Sequence, residues 1–299
     1  MSNTVTNHNS LENPTYPQTD LTLQDLAYRA TQIRKAILHM LLKAGSGHTA
    51  GPLGMTDVFT ALYFAIAKHN PKDPDWRDRD RILVSNGHIC PVWYATLSAA
   101  GYFPESELAT FRAINSRLQG HPHLGSLPGV ENTGGPLGQG LSQAAGIAKA
   151  FKIDGSRQRV YVVTSDGEHQ EGQTWEAYMF AGAHRLNNLT VLIDRNNIQI
   201  DGYTEDIMPL QPFKTKLEAF RWNVLDIDGH NLEAIIDACH QAQATQEQPT
   251  AIICNTIPGK GVEFMQDLPE WHGKVATKDE TKSALQQLRT LEGNIICES

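Results

Sequence analysis

The chain has 299 residues, of which 40% are apolar and 19% charged, and this balance is typical of a folded globular protein. Its formal net charge of -8 at pH 7 argues against sequence-independent binding to nucleic acid, which needs a basic face to displace counterions. No apolar stretch approaches the roughly 20 residues that span a bilayer, so we expect neither a membrane nor a nucleic acid as a partner.

Residues 1–20 are polar and lack the basic start and apolar centre of a secretory signal. We interpret them as a flexible N-terminal arm that precedes a single domain over residues 21–299.

No pair of cysteines has the CxxC spacing of a zinc site, which favours reduced thiols in a cytoplasmic protein over a metal site or a disulfide frame. Apolar neighbours surround the four cysteines, Cys90, Cys239, Cys254 and Cys297.

Amphipathic helices and short apolar strands alternate along most of the domain. Apolar residues at three- and four-residue spacing predict a helix over 21–44, ended by Gly45, and a second helix over 54–68. Five predicted strands cover 81–85, 159–164, 190–194, 223–227 and 250–255, and helical patterns cover 141–152, 172–185 and 231–244. This alternation indicates an α/β fold with a mostly parallel sheet and helices on both faces. Ligands bind such sheets at the carboxyl ends of the strands.

Two glycine motifs do not fit the sites that they resemble. The segment GSGHTA (45–50) matches GxGxxA, but a long helix precedes it where a dinucleotide site needs a strand. The segment PGKG (258–261) lacks the upstream glycine and the Ser or Thr of a loop that cradles a nucleoside triphosphate. Neither motif is interpreted as a nucleotide site.

Two consecutive predicted strands end in polar residues. The strand 159–164 leads into Asp166, and the strand 190–194 leads into Asn196 about 30 residues later. That separation fits strand, helix and parallel strand, so both residues are expected at one edge of the sheet. A carboxylate, an amide oxygen and backbone carbonyls suit Mg²⁺ or Ca²⁺, and the helix start near Gly172 favours an anion beside the metal. The alternatives are a helix cap at Asp166 and a hairpin turn after Asn196.

Histidines are frequent, with 12 in the chain, and several stand beside glycines. Loop backbone of this kind lets an imidazole face a ligand. For any one of them a solvated loop histidine is the simpler interpretation, whereas four together favour a ligand site. The four are His48, His88, His121 and His272.

The strand-end pair, SDG followed after about 30 residues by NN, resembles the thiamine diphosphate fingerprint. Longer blocks resemble transketolase in family order from about Leu23 to about Asp279: SGHTAGPLGMTDV, DRDRILVSNGH, GHPHLGSLPGVENTGGPLGQGLSQAAGIA and EWHGK. The resemblance implies a three-layer thiamine diphosphate-binding α/β fold. It also implies thiamine diphosphate and Mg²⁺ as cofactors, with Ca²⁺ or Mn²⁺ as substitutes for Mg²⁺.

The resemblance implies roles for individual residues. The implied metal ligands are Asp166, Asn196 and, through its carbonyl, Ile198. The residues implied at the diphosphate are His88, Gly167, Asn196 and His272, and those at the cofactor rings are Gly135, Pro136 and Leu137. The implied catalytic residues are His48, His121, His272 and Glu171. For Glu171, which would join a hydrogen-bond link between active sites, a glutamate that merely begins a helix is an equal alternative.

Three positions depart from the family pattern. Ser165 replaces the first glycine of GDG, and we expect the site to survive because serine is small and only the backbone need matter there. Glu168 and His169 replace a more usual apolar pair, a change that we expect to affect the charge near the cofactor or a subunit contact.

A whole transketolase has two further domains, one of which binds the cofactor's pyrimidine and supplies an activating glutamate. We therefore interpret the chain as the N-terminal subunit of a split transketolase, active only with a C-terminal subunit that carries the pyrimidine-binding domain, in an α2β2 heterotetramer. The expected reaction moves a two-carbon ketol unit from a ketose donor to an aldehyde acceptor. The sequence does not identify the donor or the acceptor, which are either sugar phosphates or specialised sugars such as a sulfosugar. The alternatives are the α subunit of a 2-oxo-acid dehydrogenase, a deoxyxylulose-phosphate-type synthase, and a non-catalytic scaffold or regulatory subunit.

Overall fold

A computed structural model of the chain describes residues 16–18 and 20–297. Five strands form one parallel sheet, and their ranges are Arg81–Val84 (β1), Val160–Ser165 (β2), Leu189–Arg195 (β3), Asn223–Asp228 (β6) and Thr250–Asn255 (β7). Their order across the sheet is β1-β2-β3-β7-β6. Two short strands, Ile198–Gln199 (β4) and Gly202–Tyr203 (β5), form a separate antiparallel hairpin. The five predicted strands are confirmed, with boundaries that differ by no more than a residue at either end.

The helices connect and cover these strands. Their ranges are Leu23–Ala44 (α1), Ala50–Gly54 (α2), Thr56–Ala61 (α3), Cys90–Ala100 (α4), Gly140–Ile153 (α5), Gly172–Ala183 (α6), Thr204–Ile207 (α7), Phe213–Ala219 (α8), Leu232–Ala244 (α9) and Lys278–Cys297 (α10). The second predicted helix is α3, which continues into a π-helical turn over Leu62–Ile66. Within the described ranges, no helix has both the length and the apolar character to cross a membrane.

Helices cover both faces of the sheet, as the sequence predicts. Side chains alternate in direction along a strand. In β2, Tyr161 and Val163 therefore belong to one buried cluster, together with α1, α3, α4 and α9. Val160 and Val162 belong to a second cluster on the other face, together with α5 and α6. The strands are buried on both faces, which explains their almost continuous apolar sequence.

Helix α1 has sequence-encoded signals at both ends. Thr22 and Asp25 form a capping box at its start. At its end Gly45 adopts a left-handed conformation (φ 65°), and its N–H donates to the Leu41 carbonyl at 2.9 Å. The helix therefore stops where the sequence predicts, and the chain turns into the loop that carries His48.

Part of the expected N-terminal arm is described. Tyr16 is 4% exposed, its N–H donates to the His69 carbonyl at 2.9 Å, and its ring stacks on the His69 imidazole with 4.6 Å between centroids. Residues 1–15 lie outside the described residues. The boundary after residue 20 and the single domain over 21–299 stay predictions, although the packed structure already includes Tyr16.

Candidate active site

The predicted strand-end residues lie at one edge of the sheet. β2 ends directly before Asp166, and β3 ends directly before Asn196. The parallel register pairs Ser165 with Asp194, so these two strand ends lie side by side. β1 ends at the same edge, and a single 3-10 turn that contains His88 connects it to α4. The structure thus brings together the groups that the strand spacing predicted to be neighbours.

Asp166 is buried at this edge, with 1% of its surface exposed. Its Oδ1 accepts from the Gly167 N–H at 2.7 Å. Its Oδ2 accepts from the Asn197 N–H at 2.7 Å and from Arg195 Nη1 at 3.0 Å. Burial raises the pKa of Asp166, and the Arg195 guanidinium is the strongest influence that lowers it. We take the carboxyl to be ionised because both of its oxygens accept from N–H groups.

Asn196 is held in a defined orientation by the buried Asp194. Its Nδ2 donates to Asp194 Oδ2 at 2.7 Å, and its Oδ1 accepts from the Ile198 N–H at 3.0 Å. Thr256 after β7 donates to the other oxygen of Asp194 at 2.5 Å. Burial raises the pKa of Asp194 to about 7. The amide oxygen of Asn196 is therefore directed away from Asp194 and keeps capacity for a further partner.

The two structural alternatives from the sequence are both realised. Asp166 caps the 3-10 turn Gly167–Gln170, and Asn196 precedes the hairpin of β4 and β5. Neither arrangement removes the capacity for a metal, because Asp166 Oδ1 and Asn196 Oδ1 each accept one hydrogen bond and have a second lone pair. In residues 16–18 and 20–297 no group of three His, Cys, Asp or Glu side chains could hold a metal. A metal at this edge would therefore depend on amide and carbonyl oxygens, which suit Mg²⁺.

Three of the predicted histidines form a cluster. The ring centroids of His48 and His88 are 5.0 Å apart, those of His48 and His272 are 5.4 Å apart, and those of His88 and His272 are 5.3 Å apart. The hydroxyl of Thr49 donates to the Lys274 carbonyl at 2.6 Å and so ties the loop of His48 to the loop of His272.

The surroundings of these three imidazoles, and of His121, favour the uncharged form at neutral pH. Burial lowers the pKa of His48 to about 4, with a smaller effect from His272. Burial also lowers the pKa of His88, well below its ordinary value, and that of His272. The side chain of His121 is exposed as a whole, but partial desolvation and, secondly, the nearby Arg112 guanidinium lower its pKa. The cluster can therefore donate and accept hydrogen bonds, but it adds no positive charge to the edge.

Several buried polar atoms at the edge have no hydrogen-bond partner among the described residues. They include Nδ1 of His48, Nδ1 of His272 and both polar side-chain atoms of Asn86, which is fully buried and lies two residues before His88. A buried polar group without a partner is costly in a folded protein. These atoms fit a site that is completed by a polar ligand.

The glycine-rich loop at 134–138 lies against the end of β1. The Gly135 N–H donates to the Ser85 carbonyl at 3.2 Å, and a Cβ on Gly87 would lie only 2.6 Å from the Gly134 carbonyl carbon. Gly135 has a φ of 131°, and a Cβ there would lie 3.2 Å from the His121 ring. Pro136 and Leu137 are exposed. The loop forms an open wall beside the histidines, and it depends on glycines for its close approach.

Glu171 lies at the N-cap position of α6, is exposed, and makes no side-chain capping bond. Its Cβ lies close to the glycine-rich loop, since a Cβ on Gly138 would be 2.8 Å from it. Its predicted link between active sites stays a prediction.

Residues 27–292 match the family described as "Transketolase, thiamine diphosphate binding domain". The chain belongs to the transketolase family. It is 42% identical over 264 residues to the 6-deoxy-6-sulfo-D-fructose transketolase subunit SqwG of Clostridium sp. (strain MSTE9), an alignment that covers 88% of this chain and 96% of that protein. It is 38% identical over 273 residues to one subunit of the apulose-4-phosphate transketolase of Actinobacillus succinogenes, an alignment that covers 90% of this chain and 98% of that protein.

The fold is similar to that of solved transketolases. The transketolase of Campylobacter jejuni superposes with a TM-score of 0.84 at 33% identity, over 92% of this chain and 46% of that one. This chain thus spans less than half the length of that transketolase. The predicted three-layer α/β fold and the predicted membership of a transketolase enzyme family are confirmed.

The departures from the transketolase pattern have structural explanations. Ser165 is the last residue of β2 and does not need the left-handed backbone that favours glycine. Glu168 and His169 are both buried, and their expected effect on the charge near the cofactor or on a subunit contact stays a prediction. His169 Nδ1 bonds to the Ser165 carbonyl at 2.7 Å, and its Nε2 bonds to the Tyr178 hydroxyl at 2.9 Å.

Sequence reasoning missed Arg195 and Asn86. Arg195 bonds to Asp166 and to Glu205, and with both partners it forms an ion pair. Its position next to Asn196 in DRNN is the sequence signal that could have found it. Asn86 directly precedes the GH pair of SNGH, but only the fold shows that its side chain is buried and has no hydrogen-bond partner in the part of the chain that the structure describes.

Proposed function

We propose that this chain binds thiamine diphosphate and Mg²⁺ and acts as the N-terminal subunit of a transketolase that transfers a two-carbon ketol unit from a ketose donor to an aldehyde acceptor. The observation that carries this proposal is the arrangement of side chains at the carboxyl ends of β1, β2 and β3. It combines a buried carboxylate and amide on adjacent strand ends with a cluster of neutral histidines, two of which, His48 and His272, have a buried Nδ1 without a hydrogen-bond partner among the described residues.

The metal would be held by Asp166, Asn196 and the Ile198 carbonyl, with Ca²⁺ or Mn²⁺ as substitutes. This set supplies one negative charge and two neutral oxygens, which leaves positions for water and for phosphate oxygens. The diphosphate would meet the Gly167 N–H and the imidazoles of His88 and His272. Their lowered pKa values support contacts by neutral N–H donors.

The wall for the cofactor rings would be Gly135, Pro136 and Leu137. The chemistry that thiamine diphosphate supplies when bound is stabilisation of the negative charge that remains on the donor's carbonyl carbon when the adjacent carbon–carbon bond breaks. The protein's part is to bind, orient and exchange protons. His48, His121 and His272, as neutral imidazoles, would accept protons from sugar hydroxyls and return them to oxygens of the substrate.

A second chain would complete the site. The exposed Pro136, Leu137 and Glu171 leave one wall open to a partner. Two relatives whose names call them subunits align with this chain over 96% and 98% of their lengths. We propose that the partner carries the pyrimidine-binding domain, that the assembly is an α2β2 heterotetramer, and that Glu171 links its active sites.

We also propose that the donor is a ketose and that the enzyme is cytoplasmic. One relative is named for a sulfonated ketose and another for a phosphorylated one, so both classes belong in a substrate panel. Among the described residues Cys90, Cys239 and Cys254 are free and buried, which supports a reducing compartment.

The test is reconstitution. The tagged chain would be co-expressed with the transketolase C-terminal subunit of its own host, and ketol transfer would be measured with thiamine diphosphate, Mg²⁺, a ketose panel and an aldehyde panel. We expect transfer by the mixture and negligible transfer by either chain alone. Robust transfer by this chain alone would contradict the two-chain proposal, and no transfer by a stable complex across the panel would contradict the activity.

A further inference from the structure

Glu168 is a buried carboxylate that the proposed reaction does not use. It is fully buried, and it lies in the 3-10 turn directly after Asp166 and Gly167. The transketolase resemblance leads us to expect an apolar pair at 168 and 169, and this chain instead has a charged group at 168. Burying a carboxylate is unfavourable unless donors surround it, and here three donors do.

The three donors come from three separate segments. Oε1 accepts from the hydroxyl of Ser85 at the end of β1 and from the Gly138 N–H at 2.8 Å. Oε2 accepts from the Ser165 N–H at 3.2 Å. The Ser85 hydroxyl in turn accepts from the Gly140 N–H at 2.9 Å, at the start of α5. One side chain therefore connects two strand ends, the glycine-rich loop and a helix N-terminus, where negative charge is favourable.

The backbone at 138–140 has little room to move closer to Ser85 and Glu171. A Cβ on Gly140 would lie 2.4 Å from the Ser85 Cβ, and a Cβ on Gly138 would lie 2.8 Å from the Glu171 Cβ. Gly138 also has a φ of 81°, which favours glycine. The backbone from 138 to 140 thus already touches its neighbours, and the bonds to Glu168 and Ser85 hold it at that distance.

We propose that Glu168 is a positioning residue that fixes the ring-facing loop 134–138 relative to the diphosphate-facing turn at Asp166 and Gly167. This inference rests on the proposed function for the meaning of those two surfaces. Glu168 is the residue directly after Gly167, and its side chain accepts a hydrogen bond from Gly138 in the loop. It therefore sets the distance between the diphosphate-facing turn and the ring-facing loop.

A carboxylate is the group that this position needs. Both oxygens face backbone N–H donors, so an amide would put its NH2 against an N–H in either orientation. An apolar side chain would leave the N–H groups of Gly138 and Ser165 buried without these acceptors. Glu168→Gln preserves the size and shape of the side chain but replaces one of the two acceptor oxygens with a donor, which cannot accept from Gly138 or Ser165.

Asp80 provides a matched control at the opposite edge of the sheet. It is buried, and its Oδ1 and Oδ2 accept from the N–H groups of Arg159 at 2.8 Å and Lys68 at 2.9 Å. It directly precedes β1, and Arg159 directly precedes β2, so it is remote from the strand ends that carry the site. Asp80→Asn creates the same donor mismatch without touching the loop.

The experiment compares hydrogen exchange of the segment 134–140 in the full wild-type chain, Glu168→Gln and Asp80→Asn, without cofactor. We expect exchange there to rise about tenfold in Glu168→Gln, as loss of one net hydrogen bond predicts, and to stay within about twofold in Asp80→Asn. If Glu168→Gln does not fold, Ser85→Ala removes one donor and is expected to raise exchange in the same segment. Unchanged exchange in the Glu168 and Ser85 variants, or an equal rise in Asp80→Asn, would overturn the proposal.

A thiamine diphosphate titration of the same proteins, with Mg²⁺ and the partner chain, gives the functional readout. We expect about tenfold weaker binding in Glu168→Gln and wild-type binding in Asp80→Asn. Wild-type affinity in Glu168→Gln with a loosened loop would overturn the positioning role. If wild type itself fails to bind, the proposed function fails, and the exchange result on the loop is unaffected.

Discussion

Replacing Asp166 with asparagine separates its predicted metal binding from its role in the fold. The three contacts on Oδ2, from Asn197, from Arg195 and, at 3.4 Å, from the Thr204 hydroxyl, survive in full only if the amide oxygen takes that side. The NH2 then faces the Gly167 N–H, which now donates to Oδ1 at 2.7 Å. Asp166→Asn thus loses the hydrogen bond from the Gly167 N–H to a charged oxygen and places the new NH2 group against that N–H. The substitution also removes Oδ1, which is the oxygen that is available to a metal.

The expected magnitudes follow from these contacts. A hydrogen bond to a charged group contributes about 1.5–3 kcal/mol, so we expect the free energy of unfolding to fall by about that amount. Arg195 keeps its second carboxylate, Glu205, which limits the cost of weakening the ion pair. Loss of a group that merely supports a metal ligand lowers affinity about 10–100-fold, and loss of the ligand itself should reach at least about 100-fold.

The assay has two parts. Urea denaturation measures stability, and calorimetric titration of the reconstituted enzyme with thiamine diphosphate at several Mg²⁺ concentrations measures metal-dependent affinity. Asp80→Asn, which loses comparable bonds far from the site, should lose stability and keep its Mg²⁺ dependence. If Asp166→Asn shows the wild-type dependence on Mg²⁺, Asp166 is not a metal ligand and the argument from adjacent strand ends is refuted.

Three further predictions test other parts of the molecule. His121 is exposed and faces Gly135, so His121→Ala should keep cofactor affinity and lose at least about 100-fold in ketol transfer; weakened cofactor binding in calorimetry would instead assign His121 to the cofactor. Burial lowers the pKa of His69 and of His169 to about 4, so each imidazole stabilises the fold fully above about pH 6.5 and loses that contribution as the pH falls towards 4. Urea denaturation from pH 8 to pH 4 should show this decline, and a flat profile below pH 6.5 would contradict it. Asp57 bonds to Arg34 at 2.6 Å in a buried pair, so Asp57→Asn should cost about 3–5 kcal/mol of unfolding free energy, and a loss below about 1 kcal/mol would contradict the ion pair.

The sheet and its strand ends are predictable from the sequence because their causes are local. Apolar runs buried on both faces mark the strands, and the polar residues that follow them, Asp166 and Asn196, mark the edge that carries the candidate site. The cap at Thr22 and the left-handed Gly45 fix α1 in the same local way. Spacing along the chain then predicts that Asp166 and Asn196 meet, because parallel strands share an edge.

The contacts that tune the site are not predictable in this way, because they join distant segments. Nothing near Glu168 in the sequence indicates that Ser85 and Gly138 will surround it. The burial of Tyr16 against His69 likewise depends on the folded surface that the chain start meets. Such contacts depend on the register of whole elements, and a single sequence without its fold does not specify them.

The charge balance at the edge argues for joint binding of metal and diphosphate. Arg195, the cation next to Asp166, already bonds to two carboxylates, and the lowered pKa values of His48 and His88 keep these imidazoles neutral. A diphosphate alone would therefore approach a buried carboxylate with little positive charge to offset the repulsion. A divalent ion between Asp166 and the phosphate oxygens removes that repulsion, and by linkage the diphosphate raises the affinity for the ion by the same factor. With neutral histidines, the proposed site is therefore expected to bind the diphosphate more tightly with the metal than without it.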